Sequence, residues 1–374
     1  MSIRSMVVDD TVTYRKIISD ILTTLPEIEF LGTAPTGSIA LKKLAQNPTD
    51  LVFLDVHMPD MDGVETLKKI RSQFPSVVVV MMSGISSRNT SDTIEALQNG
   101  AIDFIRKPDG ADHIRNAMQL KSDIINVIRF FELKKNTGFF PNRKVDTTPA
   151  VLVSKPDAAL PKTRISLPTS FAICVIGVST GGPEALCKLV PQLPENFPLP
   201  VLIVQHMPPY FTNSLAESLN KKSKLTIIEA PENVEIKPGT VYIAPGGKHM
   251  VVRNVNGCMS IGHNEESPEN SCRPSVDVLF RSVASNYGDQ GVLALVLTGM
   301  GNDGCSGVRT LKRKKCFCIT QSEGTCVVYG MPRAVDEAGL SDLSLPLDNI
   351  TSEMVNLASK SHQNINTRFV SSTL

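Results

Sequence analysis

Short apolar runs of strand length alternate with amphipathic stretches of helix length twice along this chain, and that alternation limits the fold more than any other feature. In the first block the strand-like runs are 3–8, 29–33, 51–54, 77–82 and 103–105, separated by helix-like segments at 12–25, 38–45, 63–73, 90–99 and 111–131. A strand followed by a helix, about five times over, predicts a parallel sheet covered on both faces. The class is α/β, and the ligand sites of such sheets open at the carboxyl ends of the strands.

Between about 134 and 170 the pattern lapses into five prolines, scattered charges and no sustained apolar period, which reads as a partly extended linker. The alternation then resumes to about residue 355. Gly-Gly and Asn-Gly turn signals between short apolar runs at 241–262 predict an added antiparallel hairpin. The expected organisation is a (βα)5 domain at 1–133, a linker at 134–169, and a doubly wound, mostly parallel α/β domain with a hairpin at 170–358. A frayed tail rich in Ser, Thr and Asn follows at 359–374.

Composition narrows the partners. At 374 residues the chain exceeds the roughly 250–300 over which one core keeps growing, which fits two domains. With 41% apolar residues, 20% charged residues and a net charge of +1, it offers no field that would draw nucleic acid or an anionic membrane. No apolar run approaches the roughly 18 residues of a spanning helix, and the start lacks the basic and long apolar segments of a secretory signal. A cytoplasmic protein without membrane insertion is expected. All eight cysteines follow residue 170 and none makes a CxxC pair, so free thiols and no metal are expected in the second domain. Cys316 and Cys318, one residue apart in a strand, are read as facing opposite ways and so unable to share an ion.

Placed on the first sheet, the strand ends deliver Asp9 and Asp10, Asp55, Ser83 and Lys107 to one edge. Carboxylates converging there repel one another unless a pKa rises or a hard cation such as Mg²⁺ joins them. A lysine can pair with an incoming phosphoryl oxygen, a serine hydroxyl can donate to another, and Asp55 can attack phosphorus as the nucleophile.

In the second block, Val175-Ile176-Gly177-Val178-Ser179-Thr180-Gly181-Gly182-Pro183 places a serine where a strand hands over to a helix, whose free N–H groups and dipole suit an oxyanion. His206 follows the apolar run 201–205, and Asp303 lies in the glycine-rich loop after 293–297. Serine needs a base, histidine supplies one near neutrality, and an aspartate on the far ring nitrogen fixes the tautomer. The order Ser, His, Asp is not that of the α/β-hydrolases, so the G-x-S-x-G pattern does not place the chain among them.

The run Leu54-Asp55-Val56-His57-Met58-Pro59-Asp60-Met61-Asp62-Gly63, with Asp9-Asp10 before it and Arg106-Lys107-Pro108 after it, resembles the receiver domain of two-component response regulators. The resemblance implies phosphorylation of Asp55 by a histidine kinase, Mg²⁺ bound by Asp9, Asp10, Asp55 and the backbone carbonyl of His57, and phosphoryl oxygens read by Ser83 and Lys107. Phe104 stands where that family places an aromatic switch residue, although core packing explains it equally well.

Residues from about 170 to 355, through GVSTGG, VQHMPP, YIAPGGKHM, RPSVDVLF, LTGMGNDG and YGMPRA, resemble the catalytic domain of the chemotaxis protein-glutamate methylesterases. That likeness implies hydrolysis of γ-glutamyl methyl esters on the cytoplasmic domains of chemoreceptors, and deamidation of receptor glutamines. Ser179 is then the nucleophile, His206 the base, Asp303 its orienting partner, and the amides of Thr180 and Met300 the oxyanion donors. His249 is read as structural. Two competing readings are a nucleotide-binding output domain, using GVSTGG and Ala244-Pro245-Gly246-Gly247 as phosphate cradles, and a DNA-binding output domain. The first leaves His206 and Asp303 without a role, and the charge and strand-rich pattern oppose the second.

Overall fold

The computed structural model describes residues 2–84, 86–108, 113–136, 168 and 170–370. The first half runs β1 (Ile3–Val8), α1 (Val12–Thr23), β2 (Ile28–Ala34), α2 (Gly37–Gln46), β3 (Leu51–Asp55), α3 (Gly63–Gln73), β4 (Val78–Ser83), α4 (Ser87–Gln98), β5 (Asp103–Arg106) and α5 (His113–Asn136). Its five strands are parallel in the order β2-β1-β3-β4-β5. The order reverses between β1 and β3, which opens a crevice at their carboxyl ends. Every residue of β3 is buried, as an uninterrupted Leu-Val-Phe-Leu run in a strand covered on both faces requires. Asp62 caps α3 by accepting the Glu65 amide at 2.7 Å, so the loop after β3 turns sharply into a helix.

The second half runs β6 (Ile173–Val178), α6 (Gly182–Leu189), β7 (Val201–Gln205), α7 (Phe211–Asn220), β8 (Thr226–Glu229), β9 (Thr240–Ile243), β10 (His249–Val255), β11 (Cys258–Asn264), α8 (Val276–Tyr287), β12 (Val292–Val296), α9 (Cys305–Lys312), β13 (Cys316–Gln321), α10 (Met331–Glu337), β14 (Leu343–Leu345) and α11 (Leu347–Val370). Seven strands form a parallel sheet in the order β14-β13-β12-β6-β7-β9-β8. The switch point lies between β6 and β12. The hairpin is β10–β11, closed by Asn256 and Gly257 with φ of 53° and 88°, as a two-residue turn of the I′ kind demands. It is shorter than the stretch expected for it, because β9 joins the main sheet.

Three further expectations change. Helix α5 continues to Asn136, into the stretch read as linker, and 137–167 lie outside the described residues. The tail read as frayed from 359 is helical to Val370: Ser, Thr and Asn cost only tenths of a kcal/mol in a helix, and Ile350, Met354, Leu357 and Ala358 bury the start of α11. Cys316 and Cys318 share one face of β13, since a strand returns every second side chain to the same side, and both are buried in the same apolar cluster. Burial pushes the Cys316 thiol up to about 12 and Cys318 well above its ordinary range.

The two halves touch. Helix α4 packs on α6 and α7, and Phe104 stacks on Phe211 with ring centroids 4.4 Å apart. Ser214 Oγ donates to Thr90 Oγ1 at 2.8 Å, Lys222 Nζ to Gln98 Oε1 at 2.6 Å, and Thr180 Oγ1 to Asp103 Oδ2 at 2.8 Å. No helix among the described residues is long and apolar enough to cross a membrane.

Candidate functional site

Two sites lie at the two switch points. In the first, donor oxygens of Asp9, Asp10 and Asp55 fall within 4.8 Å of one another. Lys107 Nζ stands 2.7 Å from Asp9 Oδ2 and 2.7 Å from Asp55 Oδ2. Both carboxylates are buried while Asp10 is exposed. One ammonium against three carboxylates leaves a deficit of positive charge. Burial, helped by Asp9 and Asp10, therefore pushes the Asp55 carboxyl up to about 6 against the pull of Lys107. Asp9 Oδ2, although ion-paired, is buried without a directed hydrogen bond. Clustered hard oxygens, one of them under-bonded, fit a divalent cation.

Ser83 Oγ, fully buried at the end of β4, donates to the Gly84 carbonyl at 3.1 Å and lies 2.7 Å from Thr93 Oγ1. The Lys107 backbone is fixed beside it through a 2.7 Å bond from its amide to the Ser83 carbonyl. The His57 imidazole faces Asp92 at 3.7 Å and does not belong to the acidic cluster.

In the second site, parallel pairing does the positioning. Val178 pairs with Gln205, so the residues that follow them, Ser179 and His206, leave adjacent strands side by side. The Ser179 amide donates to the Thr298 carbonyl at 3.0 Å, tying the serine to the loop after β12. That approach needs glycine: a Cβ on Gly299 would lie 2.7 Å from the Ser179 Cβ. Gly181 takes φ of 78° to start α6, with Pro183 in its first turn.

His206 Nε2 lies 2.8 Å from Asp303 Oδ2, and Nδ1 faces Cys272 Sγ at 3.4 Å. Asp303 is 2% exposed and saturated with donors. Oδ1 accepts from Asn270 Nδ2 at 2.8 Å, Ser275 Oγ at 2.9 Å, and the amides of Asp277 and Gly304 at 3.0 Å each; Oδ2 accepts from the Val276 amide at 2.7 Å. Two of those amides are the orphan donors that open α8, so the carboxylate caps that helix from outside the chain segment. Burial alone would raise Asp303, but the His206 bond and charge and these amides outweigh it and hold the group down at about 2. Burial likewise opposes a charged His206, yet the Asp303 and Cys272 contacts prevail and push the imidazole up to about 9.

Ser179, Thr180, His206 and Gln205 line a cavity of about 50 Å³, whose other wall is Leu97, Ile102, Asp103 and Phe104 of the first half. That is room for a few waters. Among the described residues no hydrogen bond joins Ser179 Oγ to His206. Met300 is 41% exposed outside the cavity lining. His249 is buried with Nδ1 accepting the Ser275 amide at 3.1 Å, a structural role. A hydroxyl, an imidazole and a saturated carboxylate at one sheet edge can perform acyl transfer once serine and imidazole meet.

Sequence reasoning missed Asn270, Cys272 and Ser275, which contact Asp303 or His206, and the Thr180–Asp103 bond across the halves. The stretch RPSVDVLF, which contains Ser275 and follows Asn270 and Cys272, is the signal the sequence offers, and it names no partner.

Comparison with known proteins agrees with the geometry. The family described as "CheB methylesterase" matches residues 174–354, and the "Response regulator receiver domain" family matches residues 6–119. The chain is similar to the protein-glutamate methylesterase/protein-glutamine glutaminase of Desulfotalea psychrophila, with 44% identity over 95% of this chain and 98% of that one. It is also similar to those so named from Trichodesmium erythraeum, with 42% identity over 94% and 98%, and from Thermotoga maritima, with 37% identity over 95% and 98%. A carboxylate cluster on one parallel sheet and a Ser-His-Asp edge on another, matched along nearly the whole length of such relatives, mark this chain as a member of the protein-glutamate methylesterase/protein-glutamine glutaminase family, in which a receiver precedes a methylesterase domain.

Proposed function

We propose that this chain is a phosphorylation-activated, cytoplasmic hydrolase of chemotaxis adaptation, which removes methyl groups from γ-glutamyl methyl esters on the cytoplasmic domains of chemoreceptors and deamidates receptor glutamines. The observation that carries this reading is the cavity that Ser179 and His206 line together under the first half, with Asp303 saturated behind the ring. Ser179 Oγ attacks the ester carbonyl while His206 takes its proton at Nδ1, since Nε2 is committed to Asp303. The amides of Thr180 and Met300 receive the developing oxyanion, worth typically about 100- to 1000-fold per donor. His206 then gives that proton to the leaving methoxide oxygen, or to the amide nitrogen of glutamine, which departs as methanol or ammonia, and water releases the glutamate carboxylate by the reverse sequence.

On the receiver, Asp55 accepts the phosphoryl group from a chemotaxis histidine kinase, and Lys107 and Ser83 engage its oxygens. Asp9, Asp10, Asp55 and the His57 carbonyl would hold Mg²⁺, which when bound supplies the positive charge the cluster lacks. The phosphoryl group carries about −1.5 to −2 charges in place of the carboxylate's single one, enough to bias the α4–α7 contact and uncover the cavity. The nucleotide-binding alternative has no support in the glycines it needs. A Cβ on Gly182 would meet Gln205 Oε1 at 1.9 Å and one on Gly246 the Pro208 backbone at 2.3 Å, so both lie against protein.

The test is methanol release from methylated receptor fragments, with and without acetyl phosphate and Mg²⁺. Release should be stimulated in the wild type, vanish in Ser179→Ala, and lose only its stimulation in Asp55→Asn. Release that persists in Ser179→Ala would overturn the assignment.

A further inference from the structure

The His206 ring is held at both nitrogens, and only one partner has a place in the reaction described above. With Nε2–H given to Asp303, Nδ1 carries the lone pair that must accept the Ser179 proton, and it is this atom that the Cys272 thiol faces at 3.4 Å.

The loop bearing Cys272 is built for that contact. Glu269 and Cys272 close a reciprocal backbone bridge, at 3.1 Å and 2.9 Å, and Arg281 clamps the Glu269 carboxylate with bonds of 2.7 Å and 2.5 Å. Inside the bridge Asn270 and Ser271 take φ of 53° and 62°, which costs a non-glycine residue roughly 1–2 kcal/mol. The same tight turn sends the Asn270 amide to Asp303 and the Cys272 thiol to His206. Strain held in a turn that delivers two side chains to one His-Asp pair is the mark of a supporting shell.

We propose that Cys272 is a positioning residue of the hydrolytic site: through Nδ1 its thiol keeps the His206 ring seated opposite Asp303 until the Ser179 hydroxyl takes its place. The inference rests on the reading of Ser179, His206 and Asp303 given above. Two consequences follow. Without the thiol the ring can turn away from Asp303, lowering kcat, and the protonated ring loses the sulfur that accepts from its Nδ1–H, one of the two contacts that favour that form. A bulky group on Sγ, by contrast, fills the space that Ser179 Oγ must enter. The charged and titratable groups around the ring are Asp303 and Cys272 in contact, Asp277, Glu269 and Arg281 behind Asp303, and Asp103 across the cavity.

The experiment measures methanol release by full-length enzyme from about pH 6 to about pH 10 for wild type, Cys272→Ala and Cys272→Ser. In Cys272→Ala kcat should fall about tenfold with little change in KM, and the rising limb of the profile should move about one pH unit lower. Cys272→Ser keeps a hydroxyl near the ring and should retain most of kcat. In parallel, iodoacetamide is applied to unsubstituted protein, where the Cys272 thiolate displaces iodide, an S–C bond replaces the C–I bond, and the thiol proton goes to solvent. This should inactivate the wild type, more slowly when substrate is present, and spare Cys272→Ser. A Cys272→Ala enzyme with wild-type kcat and pH limb, or a Cys272→Ser enzyme inactivated as fast as wild type, would overturn the proposal. Methanol release that survives in Ser179→Ala would instead sink the underlying triad.

Discussion

Asp55 ends β3 of the first sheet and Asp303 follows β12 of the second, each buried beside the point where strand order reverses, yet the first is pushed up to about 6 and the second held down at about 2. Burial raises both. The difference is in what was brought to meet the charge. Asp303 receives five hydrogen bonds from protein besides its pairing with His206, two of them from the open end of α8, so its charge is paid for within the fold. Asp55 shares a single lysine with Asp9 and sits beside Asp10. A finished carboxylate holds another residue in place, whereas an unfinished one leaves charge that a divalent cation could neutralise. Electrostatics alone thus distinguishes the carboxylate proposed to orient from the one proposed to react.

The sharpest way to break that contrast is to put asparagine at each position. Asp303→Asn turns an amide N–H₂ toward donors and leaves His206 without its counter-charge, so methanol release should fall by about 1000- to 10000-fold. The same change should lower stability by about 2–4 kcal/mol, read by thermal melting. Asp55→Asn should do the reverse to stability in cation-free buffer, raising it by about 1–2 kcal/mol at neutral pH. The signs follow from the shifts. Ionised Asp55 costs stability above about 6, a cost absent below its unfolded value, whereas ionised Asp303 contributes stability above the unfolded carboxylate range and loses it as pH falls through about 2. Two asparagine variants that destabilise equally would erase the distinction.

A cation sharpens it from the other side. Mg²⁺ at a hundredfold excess over its Kd should raise the melting transition by the equivalent of about 2.7 kcal/mol in wild type and far less in Asp9→Asn. An equal rise in both would show that the acidic cluster is not the site.

The smallest expected effect concerns the wall the two halves share. Phe104→Ala removes the ring stacked on Phe211 and should raise release without phosphodonor about fivefold, leaving the stimulated rate nearly unchanged. Unchanged basal release would mean that this contact does not limit access.

Much of this was legible in the residues. Strands buried on both faces must be apolar throughout, so the runs around Leu51–Asp55, Ile173–Val178 and Val292–Val296 announced central parallel strands, and polar residues just beyond them announced the sites. Asp9, Asp55, Lys107, Ser179, His206 and Asp303 all lie where that logic puts them. The tail from 359 was misread because low helix propensity is a weak signal, overridden when the first turns of α11 are anchored in the core. The cysteine pair on β13 was misread through the strand period itself.

What the sequence by itself determined was which side chains reach the two sheet edges, because a strand's period and its burial are local properties of the chain. What only the tertiary structure decided was what each of them meets there. The capping of α8 by Asp303, the thiol of Cys272 on His206 and the stacking of Phe104 on Phe211 join residues 27, 66 and 107 positions apart. No local pattern encodes such pairings: they follow from how loops and domains close in space, and they hold down the charge on Asp303 and build the wall of the cavity beside the serine.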